Sequence, residues 1–231
     1  MNIAIIAAAG SGTRMASDRP KQFLLLAGTP VIIHTLKVFE QCESINEVIV
    51  VVPAAESAGF LSLAAKFGLR KVARVVPGGA TRAESVKRGL QAIRAATAEI
   101  VAVHDGVRPF VTVEEIDAVV AAAQTDGAAI LVAPVTDTIK QVSDGRIMQT
   151  LDRGELRRAL TPQCFRYELL RDAYQHADVN DPSLTDESAL VEQLGRPVSI
   201  VPGRARNIKI TTAEDLLIAE AMLKTSADYT A

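Results

Sequence analysis

Hydrophobic and polar residues alternate along this chain with two different periods. Short, mostly β-branched apolar runs predict strands buried on both faces, and apolar residues spaced three and four positions apart predict helices. We predict strands at Ile3 to Ala9, Glu47 to Pro53, Lys71 to Pro77 and Ile100 to His104, and helices at Val31 to Cys42, Ala54 to Phe67, Thr81 to Ala96 and Thr112 to Thr125. This alternation predicts right-handed β-α-β crossovers and therefore an α/β fold, with a Rossmann-like, mostly parallel sheet and helices on both faces.

The segment from Asp137 to Arg153 interrupts this pattern. It is polar, with short strand-like flanks around the turn signal Ser143-Asp144-Gly145. We interpret it as a β-hairpin arm that protrudes from the domain, and a surface loop is the alternative. After it, the pattern predicts a return to helices, a strand at Pro197 to Pro202, and a final helix with the capping box Thr211-Thr212-Ala213-Glu214.

Composition narrows the class of protein. The 231 residues suffice for one large α/β domain, which we assign to the whole chain, 1–231. A net charge of −2 gives no general attraction to nucleic acid or to an anionic membrane, so we expect neither as a partner. Cys42 and Cys164 lack metal-ligand spacing, which favours unpaired thiols in a cytoplasmic protein. The N-terminal apolar run has no preceding Lys or Arg, unlike a signal peptide.

The first predicted strand runs directly into a glycine-containing turn. Gly10-Ser11-Gly12-Thr13 offers successive backbone N–H groups that can hold phosphate oxygens, and Arg14 and Lys21 add positive charge. The dinucleotide-binding pattern fails because Met15 stands where its third glycine belongs, and the ATPase phosphate-loop pattern fails as well. The turn therefore indicates a polyphosphate site of another kind, and a plain tight turn is the alternative.

Two further segments lie where predicted strands end. Gly78-Gly79 precedes a helix that carries Ser85, so its backbone can approach a nucleobase or ribose closely, although a simple helix start also explains it. Asp105 and Arg108 follow a buried strand, where a carboxylate suits a magnesium ion bridging a triphosphate and a guanidinium suits a phosphate. His104 is more readily explained as a packed, hydrogen-bonded core residue than as a catalytic base.

The order of these motifs resembles the 2-C-methyl-D-erythritol 4-phosphate cytidylyltransferase family of nucleotidyltransferases, over almost the whole chain. One departure is Gly106-Val107, where the family usually has two alanines. The shared landmarks, in chain order, are A-A-G-S-G-T-R-M (8–15), P-K-Q (20–22), G-G-A-T-R-A-E-S (78–85), H-D-G-V-R-P (104–109), D-T-I-K (137–140), D-R (152–153), T-P-Q (161–163), T-D-E (185–187) and N-I-K (207–209).

The resemblance implies a role for each matching residue. Those expected to act on the α-phosphate as catalytic residues are Arg14, Lys21 and Lys209. Those expected to bind CTP are Ala8, Ala9, Gly10, Ser11, Gly12, Thr13, Gly79, Arg82, Ser85 and Asp105, and Asp105 is also the expected metal contact. Those expected to bind the polyol phosphate are Arg108, Thr138, Arg153 and Thr161, of which Arg153 and Thr161 reach the substrate of a partner subunit in the resembled enzymes.

The resemblance also implies an activity. The expected enzyme transfers CMP from CTP to 2-C-methyl-D-erythritol 4-phosphate with Mg²⁺, or another divalent cation such as Mn²⁺, in a cytoplasmic homodimer with a nucleotide-diphospho-sugar transferase-like fold. Ribitol-5-phosphate cytidylyltransferase shares this scaffold and is the nearest alternative. A non-catalytic nucleotide-binding module is the alternative from another class, and the set Arg14, Lys21, Asp105 and Lys209 argues against it.

Overall fold

A seven-stranded sheet organises the protein. The structure, a computed structural model, describes residues 1–10, 19–94, 97–181 and 184–228. The strands in this part of the chain are β1 (Asn2–Ala7), β2 (Leu25–Leu26), β3 (Thr29–Pro30), β4 (Glu47–Val52), β5 (Val72–Pro77), β6 (Ile100–Asp105), β7 (Ala128–Pro134), β8 (Lys140–Ser143), β9 (Arg146–Thr150), β10 (Arg157–Arg166) and β11 (Ser199–Pro202). The main sheet has the order β11-β7-β10-β6-β1-β4-β5, so the N-terminal strand is central.

Helices cover both faces of this sheet, as the sequence predicts. They are α1 (Val31–Gln41), α2 (Ala54–Lys66), α3 (Arg82–Gln91), α4 (Val113–Asp126), α5 (Tyr167–His176), α6 (Glu187–Gln193) and α7 (Ala213–Asp228), with a 3₁₀ turn at Lys21–Phe23. Alternate residues of β1 face opposite sides. Ala4 and Ile6 pack in the cluster that contains α1, α2 and α4, whereas Ile3 and Ile5 pack in the cluster with α3, α5 and α6.

Within the main sheet, strand pairing is parallel except at β10. This strand runs antiparallel between β6 and β7, and the other neighbouring strands of the main sheet are parallel. The prediction that helices follow the arm directly is wrong, because the ten-residue β10 comes first. Two N-terminal arginines and an internal proline obscure its strand pattern. Pro162 is accommodated where the β7–β10 register shifts, between Ala159 and Gln163.

Two predicted helix boundaries also need correction. The third helix ends at Gln91 rather than extending toward Ala96, and Ile93 beyond it packs in the hydrophobic cluster on that face. The C-terminal helix is capped one residue later than predicted. Asp215 N donates to Thr212 Oγ1 at 3.3 Å and Thr212 N donates to Asp215 Oδ2 at 2.9 Å, so Thr212 and Asp215 form the reciprocal pair.

The predicted hairpin arm is present. Strands β8 and β9 pair with each other in a sheet of their own. Asp144 and Gly145 have φ values of 49° and 74°, the left-handed conformation that a two-residue hairpin turn requires. Every residue of both strands is exposed.

Candidate active site

The site lies at the carboxyl ends of the two central strands, β1 and β6. The chain builds β4 and β5 on one side of β1 and then crosses to β6 on the other, so these ends form a topological switch point. Gly106 N donates to Ala7 O at 2.9 Å, which holds the two ends together. A Cβ at Gly106 would lie 2.8 Å from the Ala8 Cβ, so glycine allows this close approach.

A buried glutamine holds the backbone from Ala8 to Gly10. Gln22 is 1% exposed, and its Nε2 donates to Ala8 O at 2.6 Å and to Gly10 O at 3.2 Å. Its neighbour Lys21 lines a cavity together with residues 7–10. Sequence reasoning quoted Gln22 only as part of a motif. No local sequence pattern marks this second role, which becomes visible only where the fold places Gln22 against Ala8 and Gly10.

The Gly78-Gly79 turn forms the opposite wall. A Cβ at Gly78 would lie only 2.1 Å from the Ala9 Cβ, so this glycine is required for close contact with Ala9. Ser85 Oγ accepts from Gly79 N at 3.1 Å and donates to Thr81 O at 2.9 Å. The hydroxyl expected to bind the nucleotide therefore braces the turn, while Gly79 and Ser85 both line the cavity as predicted.

Three cations surround one buried carboxylate at the floor of the site. Asp105 is 5% exposed; its Oδ1 accepts from Arg82 Nε at 3.1 Å, and its Oδ2 accepts from Arg108 Nε at 3.2 Å and from Lys209 Nζ at 2.9 Å. Burial by itself would raise the pKa of Asp105, but the charges of Arg82, Lys209 and Arg108 lower it overall. The carboxylate is therefore ionised and holds Arg82, Arg108 and Lys209 in one cluster.

Two cavities meet at this cluster. The larger, of about 390 Å³, is lined by residues 7–10, Gly79 and Lys21 among others, and the smaller, of about 180 Å³, is lined by Arg108, Thr161 and Gln163 among others. Arg82, Asp105 and Lys209 line both cavities. Their shared wall is the place where groups bound in the two cavities would come closest.

His104 is a packed core residue, as predicted. It is fully buried, and burial lowers its pKa to about 3, so it is neutral at physiological pH. Its Nε2 faces Arg108 O at 3.2 Å; because a carbonyl only accepts, Nε2 carries the proton and Nδ1 accepts from Thr161 Oγ1 at 3.0 Å. Thr161 Oγ1 in turn accepts from Asp105 N at 3.2 Å, so its hydroxyl fixes the backbone of Asp105.

The remaining predicted residues separate into two groups. Ser11, Gly12, Thr13 and Arg14 lie outside the described residues. Thr138 and Arg153 are exposed near the ends of the arm, where Arg153 Nη1 donates to Thr136 O at 2.6 Å, and they line neither cavity. The fold therefore brings together the predicted nucleotide residues that it describes, but not Thr138 and Arg153. The expectation that Thr161 reaches the substrate of a partner subunit is wrong, because Thr161 is buried at the smaller cavity of its own chain, where its hydroxyl contacts Asp105 N and His104 Nδ1.

One carboxylate is available to a metal ion in the larger cavity. Asp105 is the only acidic residue among the described residues that line it, and the described chain has no group of three or more His, Cys, Asp or Glu arranged to hold a metal. Both Asp105 oxygens already accept from cations. The arrangement fits a divalent cation that takes most of its oxygen ligands from a bound polyphosphate and from water.

Two further features bear on the sequence predictions. Cys42 and Cys164 are both buried and unpaired, and burial raises the pKa of each thiol. In the part of the chain that the structure describes, no helix combines the length and apolarity needed to span a bilayer.

Comparison with known proteins identifies the family of this chain. Residues 2–225 match the family model described as 2-C-methyl-D-erythritol 4-phosphate cytidylyltransferase. The chain is 47% identical over 223 residues to the protein of that name from Pelotomaculum thermopropionicum, covering 96% of this chain and 93% of the relative. It is also 47% identical over 220 residues to the one from Geobacillus kaustophilus, with coverage of 95% and 96%.

Solved structures agree with the sequence comparison. The 4-diphosphocytidyl-2C-methyl-D-erythritol synthase of Anaerococcus prevotii superposes with a TM-score of 0.84 at 31% identity, covering 96% of this chain and 98% of that one. The 2-C-methyl-D-erythritol 4-phosphate cytidylyltransferase of Thermus thermophilus gives a TM-score of 0.77 at 36% identity with the same coverage.

Proposed function

This chain belongs to the 2-C-methyl-D-erythritol 4-phosphate cytidylyltransferase family and is therefore a nucleotidyltransferase, and we propose how its residues carry out the reaction. It transfers CMP from CTP to 2-C-methyl-D-erythritol 4-phosphate, giving 4-diphosphocytidyl-2-C-methyl-D-erythritol and pyrophosphate. An oxygen of the polyol phosphate attacks the α-phosphorus of CTP. The bond from that phosphorus to the β-phosphate oxygen breaks, and its electron pair leaves with pyrophosphate.

The chemistry needs charge stabilisation rather than a general base. The second pKa of a phosphate monoester is about 6, so the attacking oxygen is already ionised at neutral pH. The difficulty is bringing two anions together while negative charge develops around the α-phosphorus. Lys21 and Lys209, with Arg14 from the turn outside the described residues, supply fixed positive charge for this step. This agrees with a buried, neutral His104 that takes no part in proton transfer.

The shared wall of the two cavities is the observation that carries this assignment of roles. CTP occupies the larger cavity between Gly10 and Gly79, and the polyol phosphate enters the smaller one beside Arg108 and Thr161. The α-phosphate then lies at the wall where Arg82, Asp105 and Lys209 line both cavities. Asp105 acts there by holding its three cations in place.

We place the divalent cation on the phosphates of CTP. Magnesium usually keeps several waters and binds substrate phosphates with one or two carboxylates. Asp105 is the carboxylate that can face the metal ion. Because three cations already surround Asp105, we place this carboxylate just outside the metal's ligand shell. Bound Mg²⁺ would neutralise charge on the triphosphate.

The second substrate site is completed by another copy of the chain. Thr138 and Arg153 lie on the exposed arm and not at the cavities of their own chain. A two-stranded hairpin is marginally stable alone, and this one exposes the apolar side chains of Val142, Ile147 and Met148. Pairing of two arms in a homodimer would cover these side chains and bring Arg153 to the neighbouring site. The two unpaired thiols favour a cytoplasmic location for this dimer.

A turnover assay tests the function directly. The purified chain is incubated with CTP, Mg²⁺ and either 2-C-methyl-D-erythritol 4-phosphate or ribitol 5-phosphate, and pyrophosphate and the CDP-polyol are measured. We expect efficient turnover with the methylerythritol phosphate only. Preference for ribitol 5-phosphate would identify that polyol phosphate as the substrate. CTP binding without turnover would indicate a non-catalytic module.

A further inference from the structure

A second buried carboxylate lies behind the cation cluster, and the roles given above leave it unused. Glu187 is 1% exposed and stands in the first turn of α6. Arg82 Nη1 donates to Glu187 Oε1 at 2.8 Å and to Oε2 at 3.0 Å, while Arg82 Nε donates to Asp105 Oδ1 at 3.1 Å. Arg82 is therefore held between one carboxylate at the cavity floor and another behind it.

Glu187 also has partners other than Arg82. Gln163 Oε1 accepts from the backbone N of Glu187 at 3.1 Å and of Ser188 at 3.0 Å, which ties the start of α6 to β10. The Tyr174 hydroxyl donates to Glu187 Oε1 at 3.0 Å. Burial, together with the Glu187 charge, raises the pKa of Tyr174, so this hydroxyl remains a donor at neutral pH. The Glu187 carboxylate is thus also held by contacts that do not involve the Arg82 guanidinium.

Counting donors shows what this arrangement leaves to the substrate. A guanidinium has five N–H groups in a rigid plane. Asp105 takes Nε and Glu187 takes Nη1, and Nη2 donates to none of the described residues. The side chain is partly exposed and lines both cavities. Asp105 and Glu187, by accepting from Nε and Nη1, therefore fix the plane of the guanidinium. The remaining N–H groups can meet a phosphate only in that plane.

We propose that Glu187, supported by the Tyr174 hydroxyl, is a positioning residue that holds the Arg82 guanidinium at the wall shared by the two cavities. The proposal rests on the proposed function, in which a phosphate of CTP lies at that wall. Without Glu187, Asp105 is the remaining carboxylate partner, and Arg82 can turn toward it alone. Arg82 then presents its free donors to the nucleotide in a variable orientation.

A double-mutant cycle tests the proposal. We expect Glu187→Gln, which keeps the size of the side chain, to lower both CTP affinity and kcat/KM for CTP about tenfold, as for loss of one charge-assisted hydrogen bond. In an Arg82→Gln background the same change should have less than about a twofold effect, because it acts through Arg82. Equal losses in both backgrounds, or no loss in the first, would overturn the proposal.

A milder pair of variants keeps the test independent of folding. Tyr174→Phe removes one hydroxyl from the network and should lower CTP affinity about threefold, whereas Tyr167→Phe on the same helix should leave it unchanged. Equal affinities for these two variants would contradict the role of Tyr174. CTP affinity is measured by calorimetry without the polyol phosphate, so a wild-type protein that binds CTP but does not turn over would refute the proposed function separately.

Discussion

The nucleotide cavity and the hairpin arm are built in opposite ways. At the cavity floor, Asp105 is 5% exposed and has three cationic partners within the same chain. On the arm, Val142, Ile147 and Met148 are 65%, 64% and 65% exposed. A buried charged group persists only when its partners surround it, whereas an exposed apolar group gains stability when another surface covers it. This difference supports the proposed dimer, in which one chain forms the nucleotide site and a second copy covers the arm.

The largest effect that we expect comes from the cavity side of this comparison. Lys21→Ala should lower kcat about 100-fold to 1000-fold with a smaller change in CTP affinity, because a fixed cation acts mainly on charge that develops in the transition state. Lys21→Met should be no better, since it restores length without charge. Steady-state kinetics with Lys66→Ala, an exposed lysine on α2, as control would check this. Normal kcat with raised KM would assign Lys21 to binding alone.

The next effect comes from the arm. Val142 and Ile147 face each other across the two strands, so Ile147→Lys puts a charge into the surface that a second copy would cover. We expect a shift to monomer and at least a tenfold loss of transfer, with CTP affinity retained. Light scattering, calorimetry and the pyrophosphate assay measure the three quantities. Leu61→Lys, at an exposed apolar residue of α2, is the matched control. A fully active monomer would show that the arm is only a surface loop.

The residues that line the cavity were easier to predict from the sequence than the buried polar residues that hold them in place. Strands β1 and β6 were predicted because buried parallel strands are continuous apolar runs, and the residues at their ends follow from that placement. The buried polar partners were not predictable from local patterns. Glu187 contacts Arg82, and Thr161 contacts His104, across more than fifty positions of the chain. Sequence spacing does not show such contacts, which depend on how β10 is inserted between β6 and β7.

The smallest effect concerns stability around His104. Its folded pKa of about 3 lies below the ordinary value of 6.5, so below pH 6.5 the unfolded chain takes up a proton that the folded chain does not. The contribution of neutral His104 to the free energy of unfolding is therefore fully present above pH 6.5. It falls by about 1.4 kcal/mol per pH unit toward pH 3. By pH 5 the loss from this residue is about 2 kcal/mol.

Chemical denaturation at pH 7.5 and pH 5 measures this loss. His104→Gln should lower stability at neutral pH but reduce its dependence on pH by about this amount. An unchanged pH dependence in His104→Gln would mean that His104 is protonated in the folded protein.

Subunit complementation tests most directly the claim that each active site joins the cavity of one chain to the arm of another. Lys21→Ala breaks a cavity and Arg153→Ala breaks an arm, so each homodimer should be nearly inactive. In a heterodimer, the intact cavity of the Arg153→Ala chain meets the intact arm of the Lys21→Ala chain. After verified subunit exchange in an equal mixture, we expect pyrophosphate release to recover to about a quarter of wild type, since one site in four is intact. No recovery would show that each arm serves its own chain and would contradict the claim.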